Sequence, residues 1–369
     1  MPSTRARGEA KSTGAEEPAQ ASPVQPIWLL VDSSGIGGIE RHMATLARSL
    51  IGQGLPVEIV LLAHHPGNSW LEQLAAERLI VRTLGGTFSC LFNALGKFRP
   101  CLLHTHGYKA GILGRIAARA SGIPIVSTFH SGEPVGWRVR LYRQVDEWSA
   151  FLGHSIAISS AIQCRLPFGS HLIPSFTATQ TEAPTGDLPR RVGFVGRLSR
   201  EKRPDLFCAV ARQSGSGLEW HIYGDGPMRR DLEVRFAGSV YFHGMVTDMS
   251  SVWPALGLLF MPSQFEALPL AGLEALAAGI PIVGSRVGGM ADVVIEGKTG
   301  WLFESGNIAE ASQRINHWRA LSPTDQAVMR EACWSHCRAE FSADALLPRI
   351  LRLYQDAGAR LSRNAMPAP

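Results

Sequence analysis

Short apolar runs alternate with helical stretches along this chain, and the whole alternation occurs twice. The first series predicts strands at 27–31, 57–62, 79–83, 101–104, 125–128 and 155–158. Helices fall between them, among others at 69–77, 109–120 and 137–150. The second series predicts strands at 192–195, 218–223, 240–242, 257–261 and 301–303, with helices starting at Pro204, Met228 and Ile308. Apolar strands separated by helices make a parallel sheet with both faces covered. The segment TATQTEAPTGDLP at 177–189 carries two prolines and few large apolar residues, so it reads as a linker.

The organisation that follows is an α/β chain of two Rossmann-like, doubly wound domains facing each other across a cleft. A tail at 1–25 precedes the first domain at 26–176, the linker at 177–190 and the second domain at 191–340. The last stretch, 341–369, holds a helix at about 343–357 that either half could claim, and a tail. A length of 369 residues suits two cores. In such folds ligands bind outside the carboxyl ends of the strands.

A net charge of +5 is modest at this length and does not point to nucleic acid. It suits an anionic substrate or a membrane surface equally well. The six cysteines lack the paired spacing of a zinc or disulfide framework, and Cys333, His336 and Cys337 have no second ligand pair nearby. Free thiols fit a reducing cytosol. The first 25 residues contain no apolar stretch of signal-peptide length, and no run of about 18 apolar residues occurs anywhere. The expectation is a cytoplasmic protein, at most peripheral to the inner face of a membrane.

Chemistry concentrates at the strand ends. Residues 262–294 read as loop, helix, strand, glycine loop and helix start, with two glutamates in otherwise apolar sequence. Pro269 suits a first helical position, and Gly279 suits a helix stop. Glu274 has Leu270, Ala271, Ala277 and Ala278 as helical neighbours, so no cation on its own helix neutralises it. Such a carboxylate needs donors from elsewhere, and the paired hydroxyls of a ribose would supply them. Glu266 precedes the same helix. It is either a counter-charge to the dipole or a ligand-binding group.

Gly35, Gly37 and Gly38 follow the first strand, as a tight turn or as a place where backbone approaches phosphate. The second half has GRLSREKRPD at the matching position, with Arg197, Arg200, Lys202 and Arg203. Four cations in one strand-end loop favour phosphate binding over a solvated turn. His104 and His106 close the fourth strand, and His130 follows the fifth. With no third ligand evident for the first two, hydrogen bonding rather than zinc is their expected role, and His130 either faces the cleft or is simply a packed histidine. The stretch 137–148 is aromatic and partly basic. It packs as an ordinary helix or touches anionic lipid.

Together these pieces resemble the retaining GT-B glycosyltransferases of family 4 across roughly residues 26–360. The motifs are GGIER at 37–41, HTHG at 104–107, FHS at 129–131, GRLSREK at 196–202 and YGDGPMRRDLE at 223–233. The longest is SQFEALPLAGLEALAAGIPIVGSRVGG at 263–289, which carries the two glutamates of an E-x7-E motif. The resemblance implies that Glu274 accepts the ribose hydroxyls of a nucleotide sugar and that Glu266 contacts the transferred sugar. It places the backbone of Ala267, Leu268, Pro269 and Leu270 near sugar and phosphate, and Gly37 and Gly38 near the diphosphate. Arg197 and Lys202 match the pair that neutralises the leaving group, and His130 matches a histidine at the reacting centre.

The implied partners are a UDP- or GDP-sugar donor and a glycan or lipid-linked acceptor, without nucleic acid. No cofactor or metal is implied, since no Asp-x-Asp motif closes a strand. The chain departs from the family pattern at Arg203 and Ala267, where glycine is usual. Rival classes on the same frame are a nucleotide-sugar epimerase, a phosphorylase, and a binding subunit without catalysis.

Overall fold

The structure is a computed structural model that describes residues 25–130, 136–214, 217–246 and 248–361. The expected tail at 1–25 therefore lies almost wholly outside the described residues. The first half runs β1 (Ile27–Val31), α1 (Gly38–Gly52), β2 (Val57–Leu61), α2 (Ser69–Ala76), β3 (Val81–Thr83) and α3 (Phe88–Phe98). It continues with β4 (Leu102–His106), α4 (Tyr108–Ser121), β5 (Ile125–Phe129), α5 (Trp137–Trp148), β6 (His154–Ala157), α6 (Ser160–Gln163) and β7 (His171–Leu172). The second half opens with β8 (Arg191–Val195), α7 (Pro204–Gln213), β9 (Glu219–Tyr223), α8 (Arg229–Arg235), β10 (Tyr241–Gly244) and β11 (Leu258–Met261). Then come α9 (Leu270–Ala277), β12 (Ile282–Ser285), α10 (Met290–Val293), β13 (Gly300–Phe303), α11 (Ile308–Arg319), α12 (Pro323–Glu340) and α13 (Ala343–Asp356).

The strands form two parallel sheets, ordered β3-β2-β1-β4-β5-β6-β7 and β10-β9-β8-β11-β12-β13. Both reverse winding direction once, beside β1 in the first and beside β8 in the second, which opens a crevice at the carboxyl ends of those strands. Successive residues of β1 explain why the strand is apolar throughout. Trp28 and Leu30 join Leu91, Leu95 and Ala117 on one face, while Leu29 joins Met43, Leu46 and Leu50 on the other. The second core is more aromatic, with Phe207 packed on Phe194, Trp220 and Phe260.

The final helix packs on the first half. Leu346, Ile350, Leu351 and Tyr354 of α13 are buried in the core of β1 and α1. The chain thus crosses between the halves twice. The two crossings lie together, Thr177 pairing with Ser342 and donating its N–H to the carbonyl of Phe341 at 3.0 Å. The linker is tied to α12, whose Arg330 and Arg338 donate to the carbonyls of Gly186 and Thr181.

A second contact bridges the halves near the cleft. Asp292 of α10 accepts from the backbone N–H of Ser160 at 2.7 Å and from its hydroxyl at 2.5 Å. Around this point Ile158, Ile162 and Leu166 of the first half are buried in the core of the second. Two hydrogen bonds to a carboxylate contribute about 1.5–3 kcal/mol each. Asp292→Ala is therefore expected to broaden the distance distribution between spin labels placed on the two halves; an unchanged distribution would assign the contact no role in domain orientation.

Candidate active site

In the second half the site is built from the loops after β8 and β11. Lys202 lies in a single 3-10 turn, Arg200–Lys202, and its Nζ donates to both carboxylate oxygens of Glu266 at 2.7 and 2.8 Å. Ser263 donates its hydroxyl to the same carboxylate at 2.8 Å. Glu266 is only 4% exposed, and burial of a carboxylate is tolerated because these donors surround it. The N–H of Gln264 donates to the carbonyl of Glu201 at 2.8 Å, so the two loops are also joined through backbone.

The glycine pair after β12 supports this arrangement from below. Gly288 has φ +49°, and a Cβ there would stand 1.7 Å from the carbonyl oxygen of Glu266. No side chain fits in that space. The next residue, Gly289, donates its N–H to that same carbonyl at 3.1 Å. Arg203, where glycine is usual in the family the sequence resembles, adopts the left-handed conformation with φ +54°. Glycine reaches that conformation without strain, whereas a side chain costs about 1–2 kcal/mol there. The Arg203 side chain turns back to Asp205 at 3.1 Å.

The helix after Glu266 begins one residue later than the sequence predicts. Pro269 is the extended N-cap residue of α9, with φ −80° and ψ 98°, rather than its first helical residue. Neither α9 nor α1 has a side chain capping its N-terminus. The two N-termini meet across the cleft, and a Cβ on Gly38 would lie 3.8 Å from Cδ1 of Leu270. Two uncapped helix ends facing one space, with Arg197 exposed and Lys202 nearby, make an anion-binding geometry. The Arg197 side chain makes no hydrogen bond or ion pair among the described residues; burial opposes ionisation of the nearby Glu201, but the Ser199 hydroxyl, backbone N–H and then the Lys202 and Arg197 charges hold its carboxyl below the ordinary value.

Glu274 is half-buried on α9. The expectation that it lacks a cation holds along its own helix and fails in three dimensions. Arg41 of α1 comes across the cleft to 3.8 Å from its carboxylate. Burial pushes the Glu274 carboxyl above the ordinary glutamate value, and Arg41 opposes that shift. Gly37 and Gly38 start the helix that carries Arg41, so the glycine loop and the glutamate helix share one site.

The first half supplies histidines. His104 is fully buried, between the Tyr354 hydroxyl and the Thr128 hydroxyl, each at 2.7 Å. His106 and His130 hydrogen-bond through Nδ1 and Nε2 at 2.9 Å. His42 of α1 completes the group, with its ring centroid 4.9 Å from that of His130. Burial first, and the neighbouring rings second, hold these imidazoles below their ordinary value, His104 at about 3; His42 sits at about 4 from burial alone. At the end of β1, Asp32 binds Lys109 at 2.8 Å and His65 at 2.9 Å, which adds a polar trio at the same sheet edge.

Sequence reasoning did not single out Arg41, His42, Ser263 or the Asp32 trio. Arg41 stood inside the quoted GGIER motif. Ser263 opened the quoted motif at 263–289, three residues before Glu266, while His42 and the Asp32 trio carried no local signal, because their partners are distant in the chain. Cys333 and Cys337 are buried, with their thiols against the carbonyls of Thr299 and Leu273.

Two family models match the chain: "Glycosyltransferase Family 4" over residues 36–166 and "Glycosyl transferases group 1" over residues 189–319. The sulfoquinovosyl transferase SQD2 of Arabidopsis thaliana is 28% identical over 260 residues, covering 61% of this chain and 51% of that protein. The chain therefore spans about half the length of that relative. An Escherichia coli UDP-Gal:alpha-D-GlcNAc-diphosphoundecaprenol alpha-1,3-galactosyltransferase is 26% identical, covering 72% of this chain and 78% of its own length. Among solved structures, HepE of Anabaena in complex with UDP superimposes with a TM-score of 0.77 at 17% identity, covering 90% of this chain and all of that one. That likeness establishes the GT-B fold. With a family 4 domain in its first half and a group 1 domain in its second, the chain belongs to the GT-B glycosyltransferases of family 4.

Proposed function

We propose that this protein is a retaining glycosyltransferase that moves a hexosyl unit from a UDP- or GDP-sugar to a glycan or lipid-linked acceptor. Cell-surface polysaccharide or glycolipid synthesis at the cytoplasmic face of a membrane is the setting. The observation that carries the reading is the Lys202–Glu266 pair lying beside two uncapped helix N-termini. One end of that space binds anionic phosphate, and the other presents a buried carboxylate to sugar hydroxyls.

The chemistry follows from that placement. The acceptor hydroxyl attacks the anomeric carbon from the face the leaving group departs, so the anomeric configuration is kept. The glycosidic C–O bond breaks, its electron pair goes to the nucleoside diphosphate, and the acceptor proton passes to a leaving phosphate oxygen. Arg197, Lys202 and the N–H groups of α1 and α9 stabilise the charge that develops there. In this reading the two side-chain cations take the place of a divalent metal at the diphosphate. Glu266 holds the sugar, and His130 stands at the reacting centre. The test is incubation with UDP- and GDP-sugars, with and without lipid-linked acceptors, following nucleotide release and product anomer. Failure of every donor to bind or turn over overturns the proposal, and an inverted product overturns the retaining mechanism.

Glu274 is assigned to the ribose. Glu274→Gln turns one acceptor into a donor and removes a charge-assisted hydrogen bond of about 1.5–3 kcal/mol, so donor affinity should fall roughly ten- to hundredfold. Wild-type affinity should also fall on acidification through the raised carboxyl pKa, converging on the variant, whose affinity stays flat. Unchanged donor affinity in the variant removes the ribose assignment.

Membrane contact is assigned to α5, which packs the reverse of an ordinary surface helix. Its Asp146 and Glu147 are buried, whereas Trp137, Leu141, Tyr142 and Trp148 are exposed. Trp137 is 72% exposed and nearby Phe151 65%, and Arg138 and Arg140 stand exposed among them. Apolar rings with cations suit the interface of an anionic bilayer. No helix among the described residues is long and apolar enough to cross a membrane.

A further inference from the structure

The histidines at the carboxyl edge of the first sheet are more numerous than the transfer reaction uses. His104 has both ring nitrogens engaged, with Tyr354 and Thr128. The remaining three do not. Nδ1 of His42 and Nε2 of His106 are buried with no hydrogen-bond partner among the described residues. Both side chains are more than nine-tenths buried, and His130 is half-buried beside them. One nitrogen from each of His42, His106 and His130 lies within 4.8 Å of the other two.

Three imidazoles packed this closely, with two nitrogens unsatisfied, are costly as a purely structural feature. Each unmatched buried polar group costs about 1–3 kcal/mol. We propose that His42, His106 and His130 form a three-histidine site for a divalent transition-metal ion of the zinc class. The ligand set is all imidazole, which suits zinc, cobalt, nickel or copper and not magnesium, calcium or manganese. Tetrahedral zinc–nitrogen bonds of about 2.0–2.1 Å place ligand nitrogens roughly 3.3 Å apart. Nδ1 of His106 and Nε2 of His130, the two nitrogens that hydrogen-bond at 2.9 Å, are already near that spacing. His104 lies against His106 at a tilt of 38° with centroids 4.3 Å apart and is itself held at both nitrogens.

Occupancy engages the His130 ring that the transfer reading puts at the reacting centre, so the metal acts as a brake on transfer. It is separate from the diphosphate site, whose positive charge comes from side chains and helix ends.

The experiment titrates chelator-treated protein with Co2+ and then displaces it with Zn2+, with no sugar nucleotide present. One equivalent of Co2+ with the intense visible bands of tetrahedral coordination is expected, bleached by one equivalent of Zn2+. His42→Gln and His106→Gln should each lower affinity by at least about tenfold, the smallest loss usual even for residues behind a metal ligand. Thermal unfolding reports whether each variant folds, and His42→Gln, on a helix flank, decides the matter if His106→Gln does not. His65→Gln, outside the cluster, should bind as wild type. Absence of stoichiometric binding, weak octahedral cobalt bands, or affinity unchanged in His42→Gln overturns the site. Because this readout needs no donor, its failure is distinct from failure of the transferase reading.

Discussion

Lys202→Ala is expected to lower turnover by about 10²–10³-fold, the range for losing one preorganised charge-stabilising group. Two separate effects contribute. The proposed leaving diphosphate loses a cation, and Glu266 loses the ammonium that meets both its oxygens. The remaining side-chain donor to that carboxylate is Ser263. Breaking a buried ion pair from one side costs about 3–5 kcal/mol when both partners are buried. Lys202 is 31% exposed, so solvent screens part of this and the lower end applies. A double variant separates the effects. Adding Glu266→Gln neutralises the stranded carboxylate, so the melting temperature should recover while turnover does not. Recovery of turnover would mean that Lys202 acts only by holding Glu266, and its charge on the diphosphate would be lost as an explanation.

The contrast between legible and hidden features follows from what a sequence pattern can encode. Alternation of apolar runs and helices is local, and every strand it predicts lies within two residues of the observed bounds. The two-residue strand β7 and the single turn α6 are too short to carry periodicity. Motif residues were legible one at a time, and their pairing was not. Lys202 and Glu266 stand in loops after different strands, and only the adjacency of β8 and β11 brings the ammonium onto the carboxylate. Arg41 reaches Glu274 because the two halves face each other, which neither helix announces. His104 and His106 looked like an incomplete ligand pair, since His42 enters from α1, the helix after the neighbouring strand β1, and His130 from the end of the strand on the other side, β5. The final helix was ambiguous for the same reason. Its buried face of Leu346, Ile350 and Tyr354 is apolar enough for either core, and the return crossing at Thr177 and Ser342 decides which one it meets.

Asp146→Ala should destabilise the first half by about 3–5 kcal/mol, because it leaves a guanidinium buried without its counter-charge. Arg115 is 1% exposed and donates to the Asp146 carboxylate at 2.5 Å and to its carbonyl at 2.8 Å. The Ser149 hydroxyl and the face of the Phe129 ring would remain as side-chain partners, neither of them a counter-charge. The intact pair is not itself a large source of stability. Burial pushes the Asp146 carboxyl up to about 6 from the ordinary 3.8, in spite of Arg115 beside it, and lowers Arg115 in turn. A carboxyl raised in the folded state binds more protons folded than unfolded between those two values. Its contribution to stability therefore falls as pH rises from about 4 to 6 and is level above that. Replacing both partners with apolar residues, Arg115→Met with Asp146→Leu, should then match or exceed the wild-type melting temperature. What the double variant should lose is orientation. The charged face of α5 is anchored by Arg115 and, through Glu147, by Arg165, and that anchoring turns Trp137, Leu141 and Trp148 outward. An apolar side chain in place of the Asp146 carboxylate packs equally well against other apolar groups, so the helix can roll its rings toward the core. Co-sedimentation with anionic vesicles should therefore weaken while thermal stability holds. Vesicle binding unchanged in the stable double variant would detach the buried pair from the membrane face, and no vesicle binding by the wild-type protein would remove that face altogether.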